Sequence, residues 1–261
     1  MKIEELTSKS IGLVLSGGGV RGMGHIGMLK ALKEFGIEAS VVSGSSAGAL
    51  VGAMYAGNSS IDKMLAFFKE TPLFKYNFFT INKPGLVDTD RYFEIFNKYI
   101  PFDTFESLHK QLFVTATNLQ KGADEVFYTG DLIIPLLASA ALPPVFSPVE
   151  INNDLYADGG IMNNFPSEPL QGKVDFIIGS NVSVIRAVSK KEIQSSFQLA
   201  SRTTSLMIYA INRQKIRSCD MIFEPMEIQN IGVFEKSGIE KAFNIGYDNA
   251  CKVLEALLKS D

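Results

Sequence analysis

Residues 11–22, Ile11-Gly12-Leu13-Val14-Leu15-Ser16-Gly17-Gly18-Gly19-Val20-Arg21-Gly22, run from an apolar segment into a glycine-rich turn. Residues 39–48, Ala39-Ser40-Val41-Val42-Ser43-Gly44-Ser45-Ser46-Ala47-Gly48, repeat the plan. Short apolar runs closed by glycine predict buried strands over 11–15 and 39–42. After the first turn, His25, Ile26, Met28, Leu29, Leu32 and Phe35 recur at helical spacing, and Gly36 supplies a stop for a helix over 24–35. After the second, Ala47, Gly48, Ala49, Gly52, Ala53 and Ala56 predict a closely packing helix over 47–56. Two successive strand–turn–helix units argue for an α/β fold with a mostly parallel central sheet flanked by helices. Both turns then lie where backbone N–H groups and helix N-termini meet a ligand.

Working outward, a serine-capped helix is expected over 61–70, and others over 90–99 and 131–141. Strands are expected over 112–117, 125–128, 174–179 and 221–223. Asn152-Asn153-Asp154 predicts a tight hairpin between 149–151 and 155–157, because Asn and Asp tolerate left-handed turns. One or two amphipathic helices fill 190–217, and a closing helix runs over 239–259. No repeat, low-complexity run or linker divides the chain, so one domain over 1–261 is expected. Its C-terminal part, 190–261, forms a helical extension.

The balance of 25 Lys and Arg against 28 Asp and Glu, a net charge of −3, gives no electrostatic case for nucleic-acid binding, which normally shows a basic stripe or patch. Cys219 and Cys251 fit no metal-ligand spacing, and buried, reduced thiols are the expectation. The mixed, charged N-terminus lacks the apolar core of a secretory signal, and no window approaches the roughly 18 apolar residues of a spanning helix. A soluble cytoplasmic protein is the simplest expectation, with peripheral membrane contact left open.

Gly17 to Gly22 matches the dinucleotide pattern G-x-G-x-x-G, but no acid follows the second strand to take ribose hydroxyls. Met23-Gly24 also rules out a P-loop, which needs Lys-Ser/Thr there. Gly44-x-Ser46-x-Gly48 has the nucleophile-elbow spacing, in which small residues on either side let a serine occupy a tight strand-to-helix turn. Read bland, it is a serine-capped helix start. A nucleophilic serine needs a base, and the chain offers only His25 and His109, neither in a favourable position. A carboxylate is the remaining option. Asp158-Gly159-Gly160, at the exit of a hairpin strand, is the outstanding candidate, against the simpler reading of a turn that ends a strand.

Taken together, Gly17–Gly22, Gly44–Gly48 and Asp158–Gly160 resemble the patatin-like phospholipase family. So do the stretch from Ala116-Thr117-Asn118-Leu119 to Gly130, the run from Ala138 to Phe146, and Asp158 to Pro166. The resemblance extends from about Ile11 to Asn181 and is weak beyond. It implies a three-layer α/β/α fold and a lipid acyl hydrolase using a Ser–Asp dyad, with Ser46 as nucleophile and Asp158 as base. It further implies Gly17, Gly18 and Gly19 as oxyanion donors, with Arg21, Gly22, Gly44, Gly48, Gly159 and Gly160 in support. No cofactor or metal enters, and the partner is a lipid or other acyl-ester substrate. Asn118 stands where many relatives carry Asp, outside the dyad. Residues 71–86, rich in Phe and Leu with helix breakers, suit either a mobile cover over an acyl cleft or aromatics packed on the core. The alternatives in other classes are a non-catalytic lipid-binding protein of the same fold and a dinucleotide binder.

Overall fold

A computed structural model describes residues 5–6, 8–72, 78–80 and 83–258. Its centre is one eight-stranded mixed sheet, with four parallel and three antiparallel pairings. The strands are β1 (Ile11–Leu15), β2 (Val41–Ser45), β3 (Gln111–Asn118), β4 (Ala123–Phe127), β5 (Val149–Ile151), β6 (Asp154–Asp158), β7 (Phe176–Ser180) and β8 (Met221–Phe223). Their order is β5-β6-β3-β2-β1-β7-β8, with β4 paired to β3 off this path. Strands β1, β2, β3, β7 and β8 run parallel, as the two opening units require. The antiparallel part comes from β4 and from the β5–β6 hairpin, whose turn residues Asn152 and Asn153 both take positive φ.

The helices are α1 (Met23–Glu34), α2 (Ala47–Ala56), α3 (Ile61–Glu70), α4 (Phe93–Tyr99), α5 (Ile133–Ala140), α6 (Ser196–Arg217) and α7 (Ile239–Leu258). Ser60 caps α3 by accepting from the Lys63 N–H at 3.2 Å. Helix α2 is buried almost all round, which is why its sequence is nearly all small and apolar. Helix α7 lies along α1 at backbone contact: a side chain on Gly27 would meet the Phe243 carbonyl at 2.1 Å. This places the segment before α7 over the first glycine turn.

The C-terminal third is therefore part of the frame, supplying strand β8 as well as two helices. Strand β2 is displaced from the expected 39–42. Ala39 bonds the Tyr55 hydroxyl instead of a strand, and the ladder with β3 extends through Ser43, Gly44 and Ser45. Cys219 and Cys251 are both free and half-buried. Among the described residues, no helix is long and apolar enough to cross a membrane.

Strand β3 holds the rest in register. Thr115 pairs with Ser45 on one edge and Val126 on the other, while Ala116 pairs with Asp158 and Glu125. Strands β2 and β6 therefore meet end to end along a single edge of β3. The residue leaving β2 and the residue ending β6 are brought together by two consecutive residues of their shared neighbour.

Candidate active site

Ser46 is the residue that leaves β2. Its backbone takes φ 54° and ψ −128°, a conformation L-residues adopt only under constraint. Packing supplies the constraint. A Cβ on Gly44 would lie 2.6 Å from the Gly48 carbonyl carbon, and one on Gly48 would lie 2.2 Å from the Leu15 carbonyl oxygen. Only glycine fits at both positions, and the turn they permit projects the Ser46 side chain above the N-terminus of α2. Ser45, the neighbouring hydroxyl, is fully buried within β2.

Ser46 Oγ donates to Asp158 Oδ2 at 2.6 Å, across 112 residues of sequence. The other carboxylate oxygen, Oδ1, accepts from the Gly160 N–H at 2.7 Å, which fixes the rotamer of the side chain. Asp158 is 2% exposed. Burial pushes its carboxyl up to about 6, against the opposing pull of the Ser46 and Gly160 hydrogen bonds. Gly159 lets this turn approach the sheet, since a Cβ there would sit 2.1 Å from the Thr115 carbonyl.

The first glycine turn abuts the serine from the other side. A Cβ on Gly17 would fall 3.0 Å from Ser46 Cβ, and one on Gly22 only 2.7 Å from Ala47 Cβ. The three glycines expected as oxyanion donors differ in what they hold. The Gly17 N–H donates to the Asn164 carbonyl at 3.2 Å, whereas the amides of Gly18, Gly19 and Ala47 donate to no acceptor among the described residues. Gly19 takes φ +57° with the Val233 carbonyl where a Cβ would be, so the turn is fixed by the C-terminal third. Arg21 acts on the same contact: its guanidinium donates to the carbonyls of Ile231 at 2.6 Å and Gln229 at 3.2 Å. It ties down the loop that carries Val233.

Neither histidine reaches the site. His25 is buried, with Nε2 2.8 Å from the Ser16 carbonyl and Nδ1 2.8 Å from Ser180 Oγ. A carbonyl only accepts, so Nε2 carries the proton and Nδ1 accepts from Ser180. Burial lowers the imidazole pKa to about 4, leaving it neutral and occupied. His109 is exposed at the opposite, N-terminal end of β3.

Ser139 is a residue that sequence reasoning passed over. Its hydroxyl donates to the Thr115 carbonyl at 2.6 Å and accepts from the Ser46 N–H at 2.9 Å, bridging the elbow to β3. A lone buried hydroxyl in the otherwise apolar α5 was the available signal. Asn118, by contrast, bonds Glu125, Asp154 and the Lys121 N–H within a polar cluster on β3, β4 and β6, away from the serine.

Ser46, Ala47 and Gly19 open onto a cavity of about 120 Å³ whose walls are otherwise mostly apolar, including Leu50, Phe67, Tyr92, Phe96, Leu137 and Phe146. Lys236 is the only charged side chain lining it among the described residues. Residues 73–77, 81 and 82, the middle of the expected cover, lie outside the described residues. The described end of that stretch is held by bridges from Phe79 to Val87 and from Val87 to Phe146, with Phe78 buried and Phe79 53% exposed. Among the described residues no cluster of His, Cys, Asp and Glu has the makings of a metal site.

The family profile of the patatin-like phospholipases matches residues 13–170, more than half of the chain. The chain belongs to the patatin-like phospholipase family. This patatin-like chain is 32% identical over 177 residues to Lysophospholipase NTE1 of Cryptococcus neoformans, a match covering 64% of the chain and 11% of the relative. It is 34% identical over 174 residues to the neuropathy target esterase sws of Drosophila melanogaster, covering 62% and 12% respectively. The chain thus spans about a tenth of the length of these relatives. Among solved structures it is similar in fold to VipD from Legionella pneumophila, with a TM-score of 0.60 at 17% identity, covering 95% of this chain and 67% of that one.

Proposed function

We propose that this chain is a serine acyl hydrolase that cleaves carboxylic esters of lipids through a Ser46–Asp158 dyad. The observation that carries the reading is the 2.6 Å hydrogen bond from Ser46 Oγ to a buried carboxylate, at the mouth of an apolar cavity. Ser46 Oγ attacks the ester carbonyl as Asp158 Oδ2 takes its proton. The oxyanion that forms is held by the amides of Gly18 and Gly19, which have no acceptor among the described residues, with the Ala47 N–H at the start of α2 beside them. Gly17 supports the loop through its bond to Asn164. When the tetrahedral intermediate collapses, Asp158 returns the proton to the departing alcohol. Water then attacks the acyl-enzyme, again losing its proton to Asp158, and Ser46 is regenerated.

A carboxylate at the ordinary aspartate value would be a feeble base. One raised to about 6 by burial is better matched to neutral pH, and it predicts that kcat/KM rises through about pH 6 and then levels. The apolar walls fit an acyl chain. The names of the relatives, a lysophospholipase and an esterase, favour lysophospholipid or phospholipid among the candidate esters. Lys236, whose Nζ donates to the Thr71 carbonyl at 2.9 Å, is the charge at the cavity wall that suits an anionic head group next to the ester. The chemistry needs no cofactor.

The test is turnover of p-nitrophenyl esters of graded chain length, and of a lysophospholipid panel, by wild type, Ser46→Ala and Asp158→Asn. Both variants should lose at least about a thousandfold in kcat, as removal of a nucleophile or its base does elsewhere. Full rate in Ser46→Ala overturns the mechanism. Absence of turnover on every ester leaves a lipid-binding protein of this fold.

A further inference from the structure

We propose that α6 is a docking surface for an anionic lipid bilayer. Charge is the first observation. Residues 186–217 hold seven Lys and Arg and one acid, Glu192, while the other 229 residues hold 18 cations and 27 acids. Within α6 there is no Asp or Glu, and the cations are Arg202, Arg213, Lys215 and Arg217. The overall balance of −3 conceals a basic segment on an acidic body.

The second observation is a stripe of exposed apolar side chains on this helix. Leu199, Leu206, Met207 and Ile211 are exposed, Met207 to 66%. The only buried side chains described on α6 are Asn212 and Ile216. At 3.6 residues per turn, the four exposed side chains fall within an arc of about 140°, opposite the arc of Asn212 and Ile216. The stripe therefore faces directly away from the body, with Thr203, Gln214 and Arg217 within its arc, Arg202 and Arg213 along one side and Lys215 along the other. Of these, Lys215 pairs with Glu168 and Arg202 donates to the Arg186 carbonyl, so Arg213 and Arg217 are the cations most exposed.

The third observation is placement. Helix α6 is the crossover from the C-terminal end of β7 to the start of β8, and it is pinned near its own C-terminus. There Asn212 Oδ1 accepts from the Phe165 N–H at 3.2 Å, and Ile216 packs among Val14, Phe165 and Leu170. Its 22 residues measure about 33 Å, against about 17 Å for the five of β7. The N-terminal half of α6, with Leu199, Leu206 and Met207, thus stands past the C-terminal edge of the sheet. Ser46 lies at that same edge.

An exposed apolar stripe between cations is the pattern of a helix lying in the headgroup region, with its apolar face among the acyl chains. The acidic remainder of the chain is repelled by the same surface, which turns the edge carrying Ser46 toward the bilayer. Attraction of this kind is absent for neutral lipid. The proposal stands independently of the hydrolase reading.

The test is flotation of the full chain carrying Ser46→Ala with vesicles of non-hydrolysable diether phosphatidylcholine, with and without diether phosphatidylserine. The expected result is binding to the anionic vesicles alone, weakened by added salt. Leu206→Asp with Met207→Asp should lower binding at least about tenfold, and Arg213→Gln with Arg217→Gln on the order of tenfold. Both pairs should retain wild-type helicity by circular dichroism and, with Ser46 restored, wild-type turnover of a soluble short-chain ester. Equal binding to neutral vesicles, no binding, or unchanged binding by the double Asp variant would overturn the proposal. So would self-association in sedimentation that disappears with Met207→Asp, since a second copy would then be what covers the stripe.

Discussion

Replacing Asp158 with asparagine should make the protein more stable at neutral pH while removing its base. The carboxyl is raised from 3.8 to about 6, mainly by burial, so the fold penalises its ionised form. The direction follows from linkage. Below about pH 4 the carboxyl is protonated in both folded and unfolded chains, and no penalty exists. Between about pH 4 and pH 6 the unfolded chain loses the proton first, so stability falls as pH rises, and above about pH 6 the loss is complete. A rise of this size corresponds to about 3 kcal/mol at most. Asparagine keeps an oxygen for the Gly160 N–H and offers its amide to Ser46 Oγ, so the hydrogen bonds have successors. At about 2 °C per kcal/mol for a chain of this length, the variant should melt up to ~6 °C higher at pH 8 and without advantage at pH 4. Differential scanning calorimetry of both proteins across that range, beside ester turnover, is the assay. A variant no more stable at pH 8, or an advantage that does not change with pH, refutes the reasoning.

Other substitutions probe the frame. Gly48→Ala puts a methyl 2.2 Å from the Leu15 carbonyl, so the elbow must move; expect at least ~2 kcal/mol lost in denaturant titration and no measurable turnover. Ser139→Ala removes the bridge between the Ser46 N–H and the Thr115 carbonyl. It should lower kcat on the order of tenfold with KM nearly unchanged, and cost ~1–2 kcal/mol of stability. His109→Ala should leave the kinetics unaltered. His25→Ala, which strands the Ser180 hydroxyl and the Ser16 carbonyl, should destabilise by ~1–3 kcal/mol while the limb of the pH–rate profile near pH 6 stays in place. Movement of that limb in the His25 variant would point to a histidine base.

Much of this architecture was legible because local chemistry and tertiary position agree. The elbow glycines, the helix that follows them, the capped α3 and the Asn152–Asn153 turn all follow from rules about neighbours in sequence. Strand β2 did not, because hydropathy marks Val41 and Val42 but not Ser43 to Ser45, which are buried only because the sheet has neighbours on both faces. The meeting of β2 and β6 along one edge of β3 is a long-range property, with no trace in any window of residues. The antiparallel character of that end of the sheet follows from the same meeting. Val233, which fixes the Gly19 turn, lies in the third of the chain where the family resemblance is weak. The basic character of residues 186–217 is averaged away in the net charge of −3, so the overall balance carries no trace of it.

The central claim is that Ser46 carries the acyl group. Treatment with a fluorophosphonate, followed by peptide mass mapping, tests this most directly. The account predicts one adduct, on Ser46, formed in step with loss of ester turnover and absent from Ser46→Ala. An inactivating adduct on another residue, or full inactivation with Ser46 unmodified, would contradict it.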